Sequence, residues 1–350
     1  MSHAPRFPEV FAELTSAGGI SRTTVRRVFE AILAGEWTPV QVAGFAVALR
    51  LRGETAPIIE AAAMALRSSM LAVEHRSPKV LDTCGTGGDA SGTLNLSTGA
   101  ALLAAAAGVV VAKHGNRAVS SRAGSADVLE ALGVPLDLPP AAATRLLDEV
   151  GIAFLMAPTH HPAMRHGGVA RRELGIRTIF NCLGPLANPA RATHQLLGAY
   201  DDALRPILAE TLRGLGVVRA WVVRGEDGLD EVSPLGPTRV SELDGGHIVE
   251  RLIHPADFGL PSTPHEAIRG GDAEENARAV LSVLSGEDHP ATPAFLLNAA
   301  AALVVADGCA PKEGVERARH AITSGHALAL LDRWRERALA LAELGDGRTG

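Results

Sequence analysis

The sequence predicts an α/β fold in which a small N-terminal helical domain precedes a larger domain built on a mainly parallel sheet. Apolar residues in the first seventy positions recur at helical spacing, as Val25, Val28 and Phe29 illustrate. From about residue 78 onward, short apolar strands alternate with longer helical patterns, which is typical of a parallel sheet with crossover helices. We therefore expect a helical domain over residues 1–74 and an α/β domain over 75–350.

Composition and charge narrow the classes of function. The chain has 350 residues, enough for about two domains, and 47% of them are hydrophobic while 21% are charged. The 33 Lys and Arg against 39 Asp and Glu give a net charge of −6, which disfavours a general nucleic-acid-binding protein. Three cysteines without a CxxC pair disfavour a disulfide framework and a zinc ribbon. No membrane-spanning apolar run or secretory signal pattern is visible, so we expect a cytoplasmic protein with no nucleic-acid or membrane partner.

Local signals place the individual elements. Thr38 and Pro39, followed by Gln41, form the capping-box signature that begins a helix. Further helices are expected at about 57–70, 97–107, 274–285, 293–306 and 312–342. Strands are expected at 79–83, 108–112, 152–156, 220–223 and 248–253. Because ligands of parallel sheets bind beyond the carboxyl ends of the strands, the residues that follow the strands carry the most weight.

A glycine-rich loop follows the first expected strand. Residues 85–89 read GTGGD, whose backbone amides can approach an anion closely at the start of a helix. The polar side chains that follow can donate hydrogen bonds to phosphate oxygens: Thr93, Asn95, Ser97 and Thr98. The alternative is a tight turn without a ligand. No acidic residue occurs between Ala90 and Ala126, so a Rossmann dinucleotide site is disfavoured, and the P-loop signature is absent from the sequence.

A second polar segment follows the next expected strand. Residues 113–117 read KHGNR, and Ser120, Ser121, Arg122 and Ser125 come after them. Positive charge and hydroxyls at the same expected edge of the sheet predict a second anion-binding loop. The alternative is a solvated basic loop, which is the usual explanation for an isolated run of charge. Together the two loops suit a ligand with two separate phosphate groups.

These motifs, taken in order, resemble those of the anthranilate phosphoribosyltransferase family. The resemblance is carried by GTGGD at 85–89, KHGNR at 113–117, GSAD at 124–127, HPAM at 161–164, RRELGIRTIFN at 171–181, GPLANP at 184–189 and GLDE at 228–231. It implies a fold of the nucleoside phosphorylase and phosphoribosyltransferase type, in which residues 75–350 bind phosphoribosyl pyrophosphate. It also implies that about 172–190 packs back onto the helical domain, and that a homodimer forms through the helical part.

The family transfers phosphoribose from phosphoribosyl pyrophosphate to the amine of anthranilate in tryptophan biosynthesis, and pyrophosphate leaves. Breaking the C1–O bond builds positive charge on the ribose and negative charge on the pyrophosphate. Catalysis therefore depends on positioning and on stabilising anions, and no GxSxG nucleophile signature is present. The residues implied for phosphoribosyl pyrophosphate are Gly85, Gly88, Asp89, Thr93, Asn95, Ser97, Thr98, Lys113, His114, Gly115, Asn116, Arg117, Ser120, Ser121 and Ser125.

The resemblance also implies a Mg²⁺ cofactor. Asp230 and Glu231 are the implied carboxylate ligands, and Ser97 is the implied third oxygen ligand. Mg²⁺ commonly takes one or two carboxylates together with substrate phosphate oxygens and water. Adjacent residues fit that role only in a loop, because on a strand they would face opposite sides. The alternative is an exposed acidic turn.

Arg171, the first residue of an arginine pair, is implied to bind the carboxylate of anthranilate. A guanidinium can hold a carboxylate through two parallel hydrogen bonds. The alternative is an arginine on a helix surface. Gly85 and Asn116 are also implied near the acceptor. Histidine titrates near neutral pH, so His114 could take a proton from the amine, although the motif also allows it to act only through its backbone.

Two other functions remain open from the sequence. A pyrimidine nucleoside phosphorylase would share the fold and the phosphate loop, but its base-recognition motifs differ. A non-catalytic nucleic-acid-binding relative should be basic, whereas this chain is acidic. His160, His161 and His166 lack the spacing of a zinc site, so we interpret them as loop residues near a polar cleft.

Overall fold

The computed structural model describes residues 4–87, 91–118 and 122–346. Four helices precede the sheet: α1 (Phe7–Thr15), α2 (Arg22–Leu33), α3 (Pro39–Arg52) and α4 (Ala56–Ser69). The later helices of the described chain are α5 (Leu96–Ala106), α6 (Ser125–Ala131), α7 (Pro140–Glu149), α8 (Ala157–His160), α9 (Arg165–Leu174), α10 (Ile179–Leu186), α11 (Leu204–Gly214), α12 (Ala273–Leu284), α13 (Thr292–Asp307), α14 (Pro311–Thr323) and α15 (His326–Asp346).

A seven-stranded sheet of order β3-β2-β1-β4-β5-β6-β7 forms the centre of the larger part. Its strands are β1 (Leu81–Gly85), β2 (Val111–Gly115), β3 (Ile152–Met156), β4 (His194–Gly198), β5 (Arg219–Gly225), β6 (Thr238–Asp244) and β7 (His247–Ile253). The first five strands are parallel, and the last two are antiparallel additions. The predicted α/β fold with a small N-terminal helical part and a mainly parallel sheet is confirmed.

The N-terminal helices form where the sequence signals predict them. The Thr38 hydroxyl accepts from the Gln41 amide at 3.4 Å, and the Gln41 side chain accepts from the Thr38 amide at 2.9 Å, which completes the predicted capping box. The predicted apolar stripe of α2 is buried, and its Phe29 ring lies 5.3 Å from the ring of Phe180 in α10. This contact joins the N-terminal helices to a segment that is distant in sequence.

Hydrophobic residues pack against both faces of the sheet. Because side chains alternate along a strand, Leu196 of β4 packs with the core that contains α5 and α13, whereas its neighbour Leu197 packs with the core of the N-terminal helices. The second core also includes Ala170, Phe180 and Leu183 from α9 and α10. Helix α10 contacts both α4 and β2, so it lies between the N-terminal helices and the sheet.

Several predicted boundaries were wrong. The second strand was expected at 108–112 with Lys113 in the loop beyond it, but β2 runs from Val111 to Gly115 and includes Lys113 and His114. Strands β4 and β6 were not predicted. The helix expected over 312–342 is two helices, because the chain turns at Gly325, whose φ of +76° is a left-handed conformation that favours glycine.

Within the described residues, no single helix is long and apolar enough to cross a membrane. The consecutive helices α13 and α14 together reach that length and composition, but they are bent by 115° at their junction.

Candidate active site

The carboxyl ends of β1 and β4 carry glycines that allow another loop to approach them. A Cβ atom at Gly85 would lie 2.7 Å from Asp230 Oδ2, and one at Gly198 would lie 1.6 Å from the Asp230 carbonyl oxygen. The Thr86 amide donates to the Gly198 carbonyl at 2.9 Å, and the Thr86 hydroxyl accepts from the Tyr200 amide at 2.9 Å. The start of the glycine loop is therefore fixed to the end of β4, a contribution that the sequence analysis missed.

The acidic pair lies in the irregular loop after β5 and faces this glycine loop. Asp230 Oδ2 accepts from the Gly87 amide at 3.0 Å. Glu231 Oε1 accepts from the amide of Ser97 at 3.2 Å, at the start of α5. The two adjacent carboxylates thus reach two different segments near β1, which the loop conformation permits and a strand would not. The structure brings together Gly85, Ser97, Asp230 and Glu231.

The donor set of this cluster suits a hard divalent cation. Two carboxylates and the hydroxyl of Ser97 are oxygen ligands of the kind that Mg²⁺ prefers, with substrate phosphates and water completing its coordination. No group of three or more His, Cys, Asp or Glu side chains with metal-binding geometry occurs in the part of the chain that the structure describes. The protein residues therefore fit a metal that is shared with a phosphate ligand better than a closed all-protein metal site.

Lys113 is a buried strand residue whose ammonium group points at this cluster. Its side chain is 2% exposed, and its Nζ donates to the Thr83 carbonyl at 2.6 Å and to Ser97 Oγ at 3.3 Å. Burial lowers the pKa of Lys113, while the carboxylates of Asp82 and Glu231 act in the opposite direction. The expectation of a loop lysine is wrong, because carbonyl and carboxylate oxygens from distant parts of the chain compensate the burial of its charge.

The polar residues that lead into α5 have different surroundings. The Thr93 hydroxyl shares a hydrogen bond with the Ser91 hydroxyl at 3.0 Å. The amide group of Asn95 donates to the Ala123 carbonyl at 3.2 Å, which ties this segment to the loop after β2. Thr98 is completely buried, and so it is not at the surface where a phosphate would bind in this conformation.

The loop after β2 is partly neutralised by its own helix. The Arg117 guanidinium pairs with Glu130 at 2.6 Å and with Asp127 at 3.3 Å, so it is less available to an anion than the sequence suggests. Ser125 Oγ donates to the Asn116 carbonyl at 3.5 Å, close to the end of β2 at Gly115. Four predicted site residues lie outside the described residues: Gly88, Asp89, Ser120 and Ser121.

A group of buried histidines lies beside the second strand. The His114 and His161 rings are 5.1 Å apart, and His114 Nδ1 lies 3.0 Å from the Gly184 carbonyl oxygen. A carbonyl can only accept, so Nδ1 carries the hydrogen and Nε2 is a free acceptor in the neutral ring. Burial, reinforced by the charge of His161 and of His160, keeps the pKa of His114 well below its ordinary value. His161 and Gly184 were not predicted near the site, because only the fold brings the HPAM and GPLANP segments beside β2.

The buried histidines predict a loss of stability in mild acid. Burial, and secondarily the charge of His160, lowers the pKa of His161 to about 4. In the unfolded chain the His161 ring is protonated below about pH 6.5, whereas in the folded chain it stays neutral down to about pH 4. The free energy of unfolding should therefore fall by about 2 kcal/mol between pH 7 and pH 5 because of His161. The free energy of unfolding is measured by denaturant titration at pH 7 and at pH 5. Its decrease between the two pH values should be smaller in His161→Gln than in the parent, by about 2 kcal/mol. Burial raises the pKa of Asp82 to about 6, which stabilises the folded protein as the pH falls. This opposing contribution is present in both the parent and His161→Gln, so it does not affect their comparison. An equal decrease in the parent and in His161→Gln would contradict the burial of His161 in its neutral form.

Arg171 lies in the last turn of α9, the helix that packs against α2 and α3. Its side chain is exposed, and its guanidinium carbon lies 5.9 Å from the centroid of the Phe180 ring. The structure therefore places Arg171 on a helix that packs against the N-terminal helices.

Comparison with known proteins identifies both parts of the chain. Family models described as the helical bundle domain and the a/b domain of a glycosyl transferase family match residues 8–70 and 77–328. The anthranilate phosphoribosyltransferase of Symbiobacterium thermophilum is 54% identical over 306 residues, which are 87% of this chain and 90% of that protein. The anthranilate phosphoribosyltransferase of Myxococcus xanthus is 49% identical over 321 residues, which are 91% of this chain and 95% of that protein.

Solved structures agree with these relatives. The Thermus thermophilus anthranilate phosphoribosyltransferase has a TM-score of 0.88 and 44% identity, and the match covers 95% of this chain and 98% of that one. The Saccharomyces cerevisiae anthranilate phosphoribosyltransferase in complex with phosphoribosyl pyrophosphate and Mg has a TM-score of 0.88, 30% identity and the same coverage. With such matches over both its helical and its α/β part, the chain belongs to the anthranilate phosphoribosyltransferase family of glycosyltransferase enzymes.

Proposed function

We propose that this enzyme transfers the phosphoribosyl group from phosphoribosyl pyrophosphate to the amine of anthranilate, giving N-(5-phosphoribosyl)anthranilate and pyrophosphate in tryptophan biosynthesis. The observation that carries this proposal is the convergence of the glycine loop with the acidic pair. Asp230 meets the Gly87 amide and Glu231 meets the Ser97 amide, so carboxylates and phosphate-binding donors share one edge of the sheet. This combination suits a metal-bound pyrophosphate.

The donor substrate would lie across the two loops that follow β1 and β2. The amides of Thr86 and Gly87 already donate to Gly198 and Asp230, so the hydroxyls of Thr93 and Ser97 are the proposed donors to phosphate oxygens. Lys113 can offset the charge that builds on pyrophosphate as the C1–O bond breaks. The residues proposed to complete this site are Gly88, Asp89, Thr93, Asn95, Ser97, Thr98, His114, Gly115, Asn116, Arg117, Ser120, Ser121 and Ser125. Burial of Thr98 and the ion pairs of Arg117 make these two the members with least support from geometry.

Asp230, Glu231 and Ser97 would hold Mg²⁺ in this enzyme. When bound, the cation would supply positive charge to the leaving pyrophosphate. Backbone amides fix the positions of the two carboxylates that would bind the cation. The Gly87 amide donates to Asp230, and the Ser97 amide donates to Glu231. Lys113 donates to Ser97 Oγ, and a hydroxyl oxygen has a second lone pair for another partner.

Anthranilate would bind between the helical part and the sheet. Arg171 would hold its carboxylate, and Gly85 and Asn116 would lie near the acceptor. The amine of anthranilate is already nucleophilic, so a strong general base is not required. His114 is neutral with Nε2 free to accept a hydrogen bond, but the burial that lowers its pKa also disfavours the protonated ring, so it has little support as the acceptor of the amine proton.

The proposed roles of the two domains follow from where the two substrates would bind. We propose that residues 1–74 together with about 172–190 form the helical part, beside which Arg171 lies, and that 75–350 form the part that binds phosphoribosyl pyrophosphate. The homodimer through the helical part and the cytoplasmic location stay predictions. The nucleoside phosphorylase and nucleic-acid-binding alternatives find no support in the relatives described above.

Product analysis distinguishes the proposal from the nucleoside phosphorylase alternative. The enzyme is incubated with Mg²⁺ and either phosphoribosyl pyrophosphate and anthranilate, or uridine or thymidine and phosphate. Mass spectrometry should detect phosphoribosylanthranilate, with one pyrophosphate for each product, only in the first mixture. Free base in the second mixture, with no phosphoribosylanthranilate in the first, would contradict the proposal.

A further inference from the structure

Strands β1 and β2 are neighbours whose regular pairing stops almost as soon as it begins. β1 pairs with β4 from Leu81 to Gly85, and β2 pairs with β3 from Val111 to Gly115. Between β1 and β2, however, the register contains only Leu81 opposite Val111. Beyond this pair the regular pairing of β1 with β2 stops, toward the carboxyl ends where both anion-binding loops begin; we call this place the divergence of the two strands.

Three buried side chains bind the backbone groups at this divergence. Asp82 Oδ1 accepts from the His114 amide at 3.1 Å, and Lys113 Nζ donates to the Thr83 carbonyl at 2.6 Å. Asn188, which follows α10, donates through Nδ2 to the Ala112 carbonyl at 2.8 Å. The same amide group donates to Asp82 Oδ2 at 2.8 Å, so Asp82 and Asn188 form a continuous bridge from β1 to β2.

The polarity of this bridge is fixed by its partners. The His114 amide faces one oxygen of Asp82 and the Asn188 side chain faces the other, and both are donors, so each oxygen must accept. Asn188 must donate through Nδ2 and accept through Oδ1, which receives the Ala190 amide at 2.9 Å. An asparagine side chain at position 82 has only one acceptor oxygen, so it could not accept from both the His114 amide and Asn188.

We propose that Asp82 and Asn188 are positioning residues that join the carboxyl ends of β1 and β2 where their regular pairing stops, and thereby place Lys113 and His114 in the donor site. The inference rests on the proposed function and adds two residues that do not themselves meet the substrates. Asp82 is completely buried, and Asn188 is 2% exposed. Burying a carboxylate is costly, and a pair of apolar residues could fill this space more favourably if packing were its only role.

The test compares Asp82→Asn, Asn188→Asp and the double variant that exchanges the two residues. In Asp82→Asn, the donor end of the new amide must face another donor, either the His114 amide or the Asn188 side chain. In Asn188→Asp, two carboxylates face each other. Because Lys113 shifts relative to the glycine loop, kcat/KM for phosphoribosyl pyrophosphate should fall by at least about tenfold in each. The exchanged pair again sets a donor against an acceptor between positions 82 and 188, so it should recover part of this loss. Recovery is incomplete because the carboxylate at position 188 then faces the Ala112 carbonyl, which cannot donate to it.

Asp307→Asn is the matched control. Asp307 pairs with Arg317 at 2.8 Å and with Lys79, which precedes β1 at the opposite edge of the sheet. The control removes one carboxylate without touching the divergence of β1 and β2, and its kinetic constants should match those of the parent. All constants are measured well below each variant's melting temperature, so that lost stability is not counted as lost activity.

The outcomes separate this inference from the proposed function. A parent enzyme that forms no phosphoribosylanthranilate overturns the proposed function itself. An active parent with Asp82→Asn folded and within twofold of it in kcat/KM overturns the positioning role, as does an exchanged pair no better than the worse single variant. Should Asp82→Asn not fold, Asn188→Ser decides in its place, because it removes the same bridge without adding a charge. An unchanged KM and kcat in that variant would also overturn the inference.

Discussion

Replacing Asp230 by Asn and Glu231 by Gln together should abolish magnesium-dependent turnover while leaving the fold intact. Both changes keep the shape of the side chains but remove the two negative charges that would hold the cation against the pyrophosphate. Metal stabilisation of the developing charge contributes several kcal/mol, so kcat should fall by about a thousandfold or more. Turnover is measured across a Mg²⁺ titration, and the fold is checked by circular dichroism and thermal melting.

A double variant of equal charge change provides the control for this result. Glu226→Gln with Asp244→Asn removes two carboxylates from the neighbouring β5–β6 region, where they pair with Arg239 and Arg219. Turnover of this variant should stay close to that of the parent. Full activity of the Asp230 and Glu231 variant at any Mg²⁺ concentration would show that the acidic pair is not the metal site.

Arg171→Ala should raise the KM for anthranilate by about ten- to a hundredfold and change the KM for phosphoribosyl pyrophosphate little. A charge-assisted pair of hydrogen bonds to a carboxylate is worth about 1.5–3 kcal/mol, which sets this range. Arg171 lies on α9 and the acidic pair lies in the loop after β5, so different elements would bind the two substrates. Initial rates over a grid of both substrate concentrations measure the two constants independently.

Arg172→Ala is the control for a general effect of charge on α9. Arg172 is also exposed and follows Arg171 directly, so it points to a different side of the helix. Its removal should leave both KM values nearly unchanged. Similar increases for both substrates in Arg171→Ala, or the same anthranilate effect in Arg172→Ala, would argue against carboxylate binding by Arg171.

The sequence could predict the parts of the site that depend on local chemistry. The glycines at and after the end of β1 predict a close approach to the backbone, and an oxygen of the Asp230 carboxylate lies only 2.7 Å from where a Cβ atom at Gly85 would be. Thr38 and Gln41 likewise specify their helix start through contacts between near neighbours in the chain. Such signals need no knowledge of the distant chain.

The second strand could not be placed correctly because its polar residues are compensated from far away. Lys113 and His114 resemble loop residues by composition, but the carbonyl of Thr83, the carboxylate of Asp82 and the carbonyl of Gly184 make their burial possible. These partners lie on other elements, and nothing in residues 108–117 reveals them.

The missed strands have a similar explanation. β4 begins with the polar residues His194 and Gln195, and only two apolar residues follow before Gly198. Gln195 can be buried because its amide group donates to the Pro185 carbonyl at 2.6 Å. β6 contains only two apolar residues, Val240 and Leu243, and lacks the regular alternation of a half-buried strand; its antiparallel pairing with β7 is what makes it part of the sheet. Both strands become recognisable only when their neighbours are known.

The most direct test of the account follows the fluorescence of anthranilate together with the release of pyrophosphate. The enzyme is mixed with anthranilate and phosphoribosyl pyrophosphate, first with a chelator and then with Mg²⁺ restored. The fall in fluorescence measures the anthranilate consumed. The amount consumed should equal the amount of pyrophosphate released, and both changes should begin only after Mg²⁺ is added. Pyrophosphate release without loss of anthranilate would contradict the proposed acceptor, and no change in either signal from the folded enzyme would contradict the proposed reaction.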